Sequence, residues 1–152
     1  MKKFKKRLLS LATGELAAVI VFIFVYRSFN LGKASFIAFS YLIFILVQGS
    51  LYWFYRYLLI VNQKEVHRPV KDLLKVLKIV NVLILLGIAI AIPIIQTNLK
   101  DLVAAIAISL FGVIEYINYY CYRLSYGKSG FNIKILWNTG LKKSSINKLI
   151  SK

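Results

Sequence analysis

The chain has 152 residues, 59% of them apolar, and 21 Lys or Arg against 5 Asp or Glu give it a formal charge of +16. A soluble domain this apolar would aggregate, and a soluble nucleic-acid binder this basic would be far more polar. The two properties coexist when the apolar residues sit in lipid and the charges are sorted to the membrane surfaces, so the composition argues for an integral membrane protein and against a water-soluble enzyme or a disordered chain.

A membrane helix needs about 20 residues to cross ~30 Å of hydrocarbon. The chain can supply four such spans and has no room for a separate soluble domain. Lys2, Lys3, Lys5, Lys6 and Arg7 precede the first apolar run, Leu8 to Tyr26. A signal peptide begins the same way, but this run is too long for its apolar region, Glu15 interrupts it, and no small-x-small cleavage site follows. A retained span over 8–26 is expected.

Arg27 to Lys33 is a polar turn containing Asn30 and Gly32. The second apolar run, Ala34 to Val61, exceeds one span, so a tilted or projecting helix is expected. The cluster Tyr52, Trp53, Tyr55, Arg56, Tyr57 resembles an interface belt, which puts the span at 34–57. In the next polar segment Pro69 suits a first helical position. After it Val70, Leu73, Leu74 and Leu77 form an apolar stripe, with Lys71, Asp72, Lys75 and Lys78 off it. This amphipathic segment reads either as a surface helix or as an extension of the third span. The third span is expected over 79–97, kinked where Pro93 cannot donate to the Ala89 carbonyl. Asn98 to Asp101 is a tight turn, and the fourth span covers 102–122. Residues 1–126 thus form a transmembrane domain and 127–152 a basic interfacial tail.

The basic residues sort by side. The N-terminus, the segment Arg56–Lys78 and the stretch from Arg123 onward together hold 18 of them, while Arg27, Lys33 and Lys100 face the other way. The positive-inside rule then places both termini in the cytoplasm of a cell-membrane protein. The aromatics agree, since most tyrosines, with Trp53 and Trp137, lie near the cytoplasmic ends. The expected fold is an all-α, four-helix transmembrane bundle, N-in and C-in.

Ionisable groups inside a membrane are rare, costly and often functional. Glu15, Gln48 and Glu115 each lie seven residues from a cytoplasmic boundary, roughly 10 Å deep, and Asn81 is slightly shallower. Glu115, Asn118, Tyr119 and Tyr122 share a helical face. These residues form an intramembrane polar layer. It could be a cavity for a proton or cation, an interhelical hydrogen-bonded glue, or a pair of carboxylates reaching the N-terminal lysines and Arg123. Gly14 with Ala18, Gly87 with Ala91 and Ala105 with Ser109 are small pairs suited to close helix packing or self-association. Arg56, Lys71, Lys75, Lys78, Arg123, Trp53 and Trp137 are expected at lipid headgroups, and the tail favours an anionic inner leaflet.

His67 has no second ligand at metal spacing, and a lone Cys121 cannot form an internal disulfide. No catalytic motif, metal site or cofactor motif is present. No nucleic-acid partner is expected, because the charge has a topological explanation. Four short spans with a Glu in the first resemble the small multidrug resistance transporters, but their glycine-rich third-helix pattern is missing and the tail is longer. The size and hydropathy also resemble small basic immunity and accessory membrane proteins of Gram-positive bacteria. The expected function is non-enzymatic: an accessory, scaffold or immunity-type protein that contacts lipid, another membrane protein or itself. The alternative is a small transporter or cation-coupled carrier using Glu15 and Glu115.

Overall fold

The computed structural model describes residues 2–124 and 141–151. It is helical: α1 (Lys2–Ser28), α2 (Lys33–Val61), α3 (Arg68–Ile95), α4 (Leu99–Tyr116), a π-helical segment (Ile117–Cys121) and a short α5 (Ser145–Ile150). Four of these helices, α4 being counted through Cys121, are long and apolar enough to cross a membrane.

The helices run past the expected spans into the polar segments. Helix α1 already includes Lys3 to Arg7, and α3 starts at Arg68, with Pro69 in its first turn. The amphipathic stripe is therefore the beginning of the third helix, not a separate element. Val70, Leu74 and Leu77 pack on the core, while Leu73 stays exposed. Helix α3 runs only two residues beyond Pro93, so the proline sits near its end.

Helix α2 is the centre of the bundle. Half of its most apolar window is buried, against 11% for α1 and 17% for α3. The α2 residues Ala38, Tyr41, Leu42, Ile45 and Leu46 face the core. Helices α1 and α4 pack along it, and Phe22 meets Phe111 edge-on at 5.8 Å across them. Exposed apolar side chains such as Phe24, Leu83 and Ile94 cover the outside, as expected of a surface that meets lipid.

One end of the bundle is locked by Asp101. The first residue before α2 is Gly32, which has no side chain to cap the helix. Asp101, from the first turn of α4, supplies that cap. It accepts hydrogen bonds from the backbone N–H of Ala34 at 3.2 Å and of Ser35 at 2.9 Å. It also accepts from the N–H and hydroxyl of Thr97, both at 3.2 Å. A carboxylate at a helix N-terminus is favoured by the open N–H groups and the helix dipole. Asn98 caps α4 by accepting from the Asp101 N–H at 2.9 Å. Only glycine fits at position 32, because a Cβ there would overlap Thr97 Oγ1 and the Asp101 carboxylate. Asp101 was expected in the tight turn between the third and fourth spans; it lies in the first turn of α4 and is fully buried.

The small pairs behave differently from one another. Ala105 is fully buried, but nothing lies within 4 Å of a Cβ placed on Gly14 or Gly87. Close backbone approaches occur instead at Gly49, against Tyr119, and at Gly112, against Tyr41.

Candidate functional site

The polar residues expected to form one layer assemble at the opposite end from the Asp101 clasp, as two adjoining clusters. Antiparallel helices bring the start of α1 and α3 beside the end of α2 and α4, so residues far apart in sequence share one level.

The first cluster is a hydrogen-bonded amide and tyrosine network. Gln48 Oε1 accepts from the Tyr120 hydroxyl at 2.7 Å and from Asn81 Nδ2 at 3.0 Å. Asn81 Nδ2 also donates to the Leu77 carbonyl at 2.7 Å. Asn81 and Tyr120 are fully buried. This cluster ties α2, α3 and the end of α4, which is the structural role expected of polar groups between apolar helices.

The second cluster is acidic. Glu15 on α1 and Glu115 on α4 are both half-buried and interact electrostatically with each other and with Tyr119. Tyr119 is 4% exposed, and its hydroxyl faces both carboxyl groups without a hydrogen bond inside 3.5 Å among the described residues. Asn118 Nδ2 approaches Glu115 Oε2 at 3.5 Å, and Asn118 Oδ1 accepts from the Leu124 N–H at 3.0 Å. The two acids therefore flank a buried hydroxyl. Gly49 makes this possible, since any Cβ there would overlap the Tyr119 ring.

The backbone of α4 explains how two neighbouring tyrosines both reach the core. The α-helix was expected to continue to Tyr122, with Tyr122 on the face of Glu115. Instead it ends at Tyr116 and passes into the π-helical turn, closed by the Tyr122 N–H donating to the Ile117 carbonyl at 2.8 Å. The wider turn points Tyr119 at Gly49 and Tyr120 at Gln48, and Tyr122 leaves the helix in an extended, exposed conformation.

The C-terminal segment seals this end. The Tyr52 and Ser145 hydroxyls are hydrogen-bonded at 2.6 Å, Ser144 Oγ donates to the Tyr119 carbonyl at 2.5 Å, and Asn147 Nδ2 donates to the Cys121 carbonyl at 3.0 Å. Ser144 Oγ also caps α5, accepting from the Asn147 N–H at 3.0 Å. Ile146 is 2% exposed inside the bundle, while Lys142, Lys143 and Lys148 are exposed. A segment expected only at a lipid surface thus also contributes to the core. Its Phe131 to Gly140 portion, Trp137 included, lies outside the described residues.

Those of the residues expected at lipid headgroups that the structure describes cluster at the same end. Trp53 packs edge-on against Tyr52 at 5.1 Å, Arg56, Lys71 and Lys78 are half-buried, and Lys75 forms an exposed ion pair with Asp72 at 3.6 Å. The Arg123 N–H donates to the Lys142 carbonyl at 2.9 Å. The His67 N–H donates to the Tyr55 hydroxyl at 3.4 Å. Among the described residues no group of three or more His, Cys, Asp and Glu is arranged to hold a metal ion.

The sequence singles out Glu15, Gln48, Asn81, Glu115 and Asn118, whereas Tyr119 stands out there only as a face-mate of Glu115 and, like Tyr120, as one of the tyrosines near the cytoplasmic ends. The available signal was the run of aromatics directly after Glu115, two of which had to point inward on an otherwise apolar helix.

No protein-family model, no curated protein and no solved structure matches the chain.

Proposed function

We propose that the chain is a multi-pass protein of the cell membrane, with both termini in the cytoplasm, that acts without catalysis by contacting another membrane protein or lipid. The observation that carries this reading is the lateral position of the acidic cluster. Glu15 lies on the edge helix α1, whose span is only 11% buried and whose neighbours Leu16, Ile20 and Phe24 are exposed. A carboxyl group at this depth is expensive unless it is protonated or paired. A partner helix carrying a basic or amide group would compensate it, and such contacts give specificity where apolar packing gives none. Mild solubilisation of the tagged chain tests this. A membrane partner recovered at fixed stoichiometry, and lost in Glu15→Gln, is the expected result.

A second reading is supported by the Tyr119 hydroxyl. A buried hydroxyl flanked by two carboxyl groups suits a small cation or a proton. The chain would then be a small cation-coupled carrier that uses Glu15 and Glu115. That reading requires pH-dependent binding or flux by the purified chain in vesicles, abolished by Glu15→Gln and by Glu115→Gln.

A further inference from the structure

Ile150 of α5 and the beginning of α3 line a pocket. The pocket has a volume of about 370 Å³ and is lined by Val66, Arg68, Lys71, Asp72, Lys75 and Ile150. Arg68, Lys71 and Lys75 follow i, i+3, i+7 spacing, so the three cations share one face of α3. Asp72 is the one acid lining it, and it is held by Lys75 at 3.6 Å. The pocket opens beside the first turn of α3, where the helix dipole favours an anion and where His67 offers no side-chain cap. Val66 and Ile150 add apolar walls. The hydrogen bond from the His67 N–H to Tyr55 ties this corner to the aromatic belt, the level at which phospholipid headgroups lie.

We propose that this pocket binds the phosphodiester headgroup of an anionic phospholipid, with Arg68, Lys71 and Lys75 around the phosphate and the acyl chains leaving past Val66 and Ile150. The proposal rests on the reading that this end of the bundle lies at a lipid headgroup layer. Docking of α5 is part of the site, because Ile150 supplies one wall and is held there by Ile146 and by the Tyr52–Ser145 hydrogen bond.

The test places the full chain in nanodiscs that mix phosphatidylglycerol with phosphatidylcholine, and native mass spectrometry reads the lipids retained after partial delipidation. Phosphatidylglycerol is expected to be enriched on the wild-type chain, with retention falling about fivefold for each of Arg68→Gln, Lys71→Gln and Lys75→Gln. Lys3→Gln, which removes the same charge at the N-terminus, is expected to change nothing. No preference for phosphatidylglycerol in the wild-type chain, or an equal loss in Lys3→Gln, overturns the proposal. Displacement of the lipid by millimolar inorganic phosphate also overturns it, since the ligand would then be a soluble anion. Both leaflets of a nanodisc have one composition, so the result does not depend on orientation. An external C-terminus would refute the functional reading and leave this site standing.

Discussion

Asp101 Oδ1 accepts the Ser35 backbone N–H at 2.9 Å, across 66 residues of sequence, and thereby caps α2 with a carboxylate from α4. Each buried donor that loses its acceptor costs ~1–3 kcal/mol. Asp101→Ala strands the N–H groups of Ala34, Ser35 and Thr97 together. It is expected to destabilise the bundle by about 3 kcal/mol or more, read as a lower melting temperature in detergent. Asp101→Asn should fall between, because its amide oxygen can still accept while its NH2 group faces donors. An unchanged melting temperature in Asp101→Ala would show that the clasp contributes nothing.

Glycines divide by what surrounds them. At Gly49 an added methyl overlaps Tyr119, and at Gly32 it overlaps the Asp101 clasp. Gly49→Ala and Gly32→Ala should each cost ~1–3 kcal/mol through overpacking. Gly14→Ala and Gly87→Ala meet open space and should be neutral or stabilising by up to about 1 kcal/mol, since alanine favours a helix. Thermal unfolding of the four variants side by side checks the ranking.

The Gln48, Asn81 and Tyr120 network predicts coupling between helices. Tyr120→Phe removes one donor to Gln48 and Asn81→Ala removes the other. A double-mutant cycle between them should give an interaction energy of about 0.5–1.5 kcal/mol. Strict additivity would mean that the shared acceptor does not link α3 to α4.

Glu15 and Glu115 predict a different outcome. Neither belongs to that network, so Glu15→Gln and Glu115→Gln should leave expression unchanged and stability within about 0.5 kcal/mol of wild type. Partner recovery or cation binding should nonetheless be lost in both. If stability and phenotype both survive, the acidic cluster has no functional role.

Docking of α5 can be tested at Ile146. Ile146→Asp buries a charge at a position 2% exposed and should release the segment. Faster proteolysis after Leu141, with the four long helices intact, is the expected result.

The four long helices and their order were legible because apolar runs of span length carry a strong signal, and counting residues along the runs put Glu15, Gln48, Asn81 and Glu115 at one level of the bundle. The Asp101 clasp was not legible as such. The Asn98-x-x-Asp101 spacing of a capping pair was present. What it could not show was that Asp101 would turn toward α2, because Gly32 and Ser35 lie 66 or more residues away. The π-helical turn was hidden for a similar reason: no local residue marks it, and the pull on Tyr119 and Tyr120 comes from Gly49 and Gln48 on another helix. Docking of α5 was hidden because a six-residue helix has too little apolar surface to stand out among basic residues.

Both proposed functional readings require a four-span bundle with both ends in the cytoplasm. Its most direct measurement is the accessibility of single cysteines to a membrane-impermeant thiol reagent in intact cells, in a Cys121→Ser background, at Asn98→Cys and at Lys152→Cys. The predicted result is labelling of Asn98→Cys in intact cells and of Lys152→Cys only after the membrane is opened. Labelling of Lys152→Cys in intact cells would contradict it.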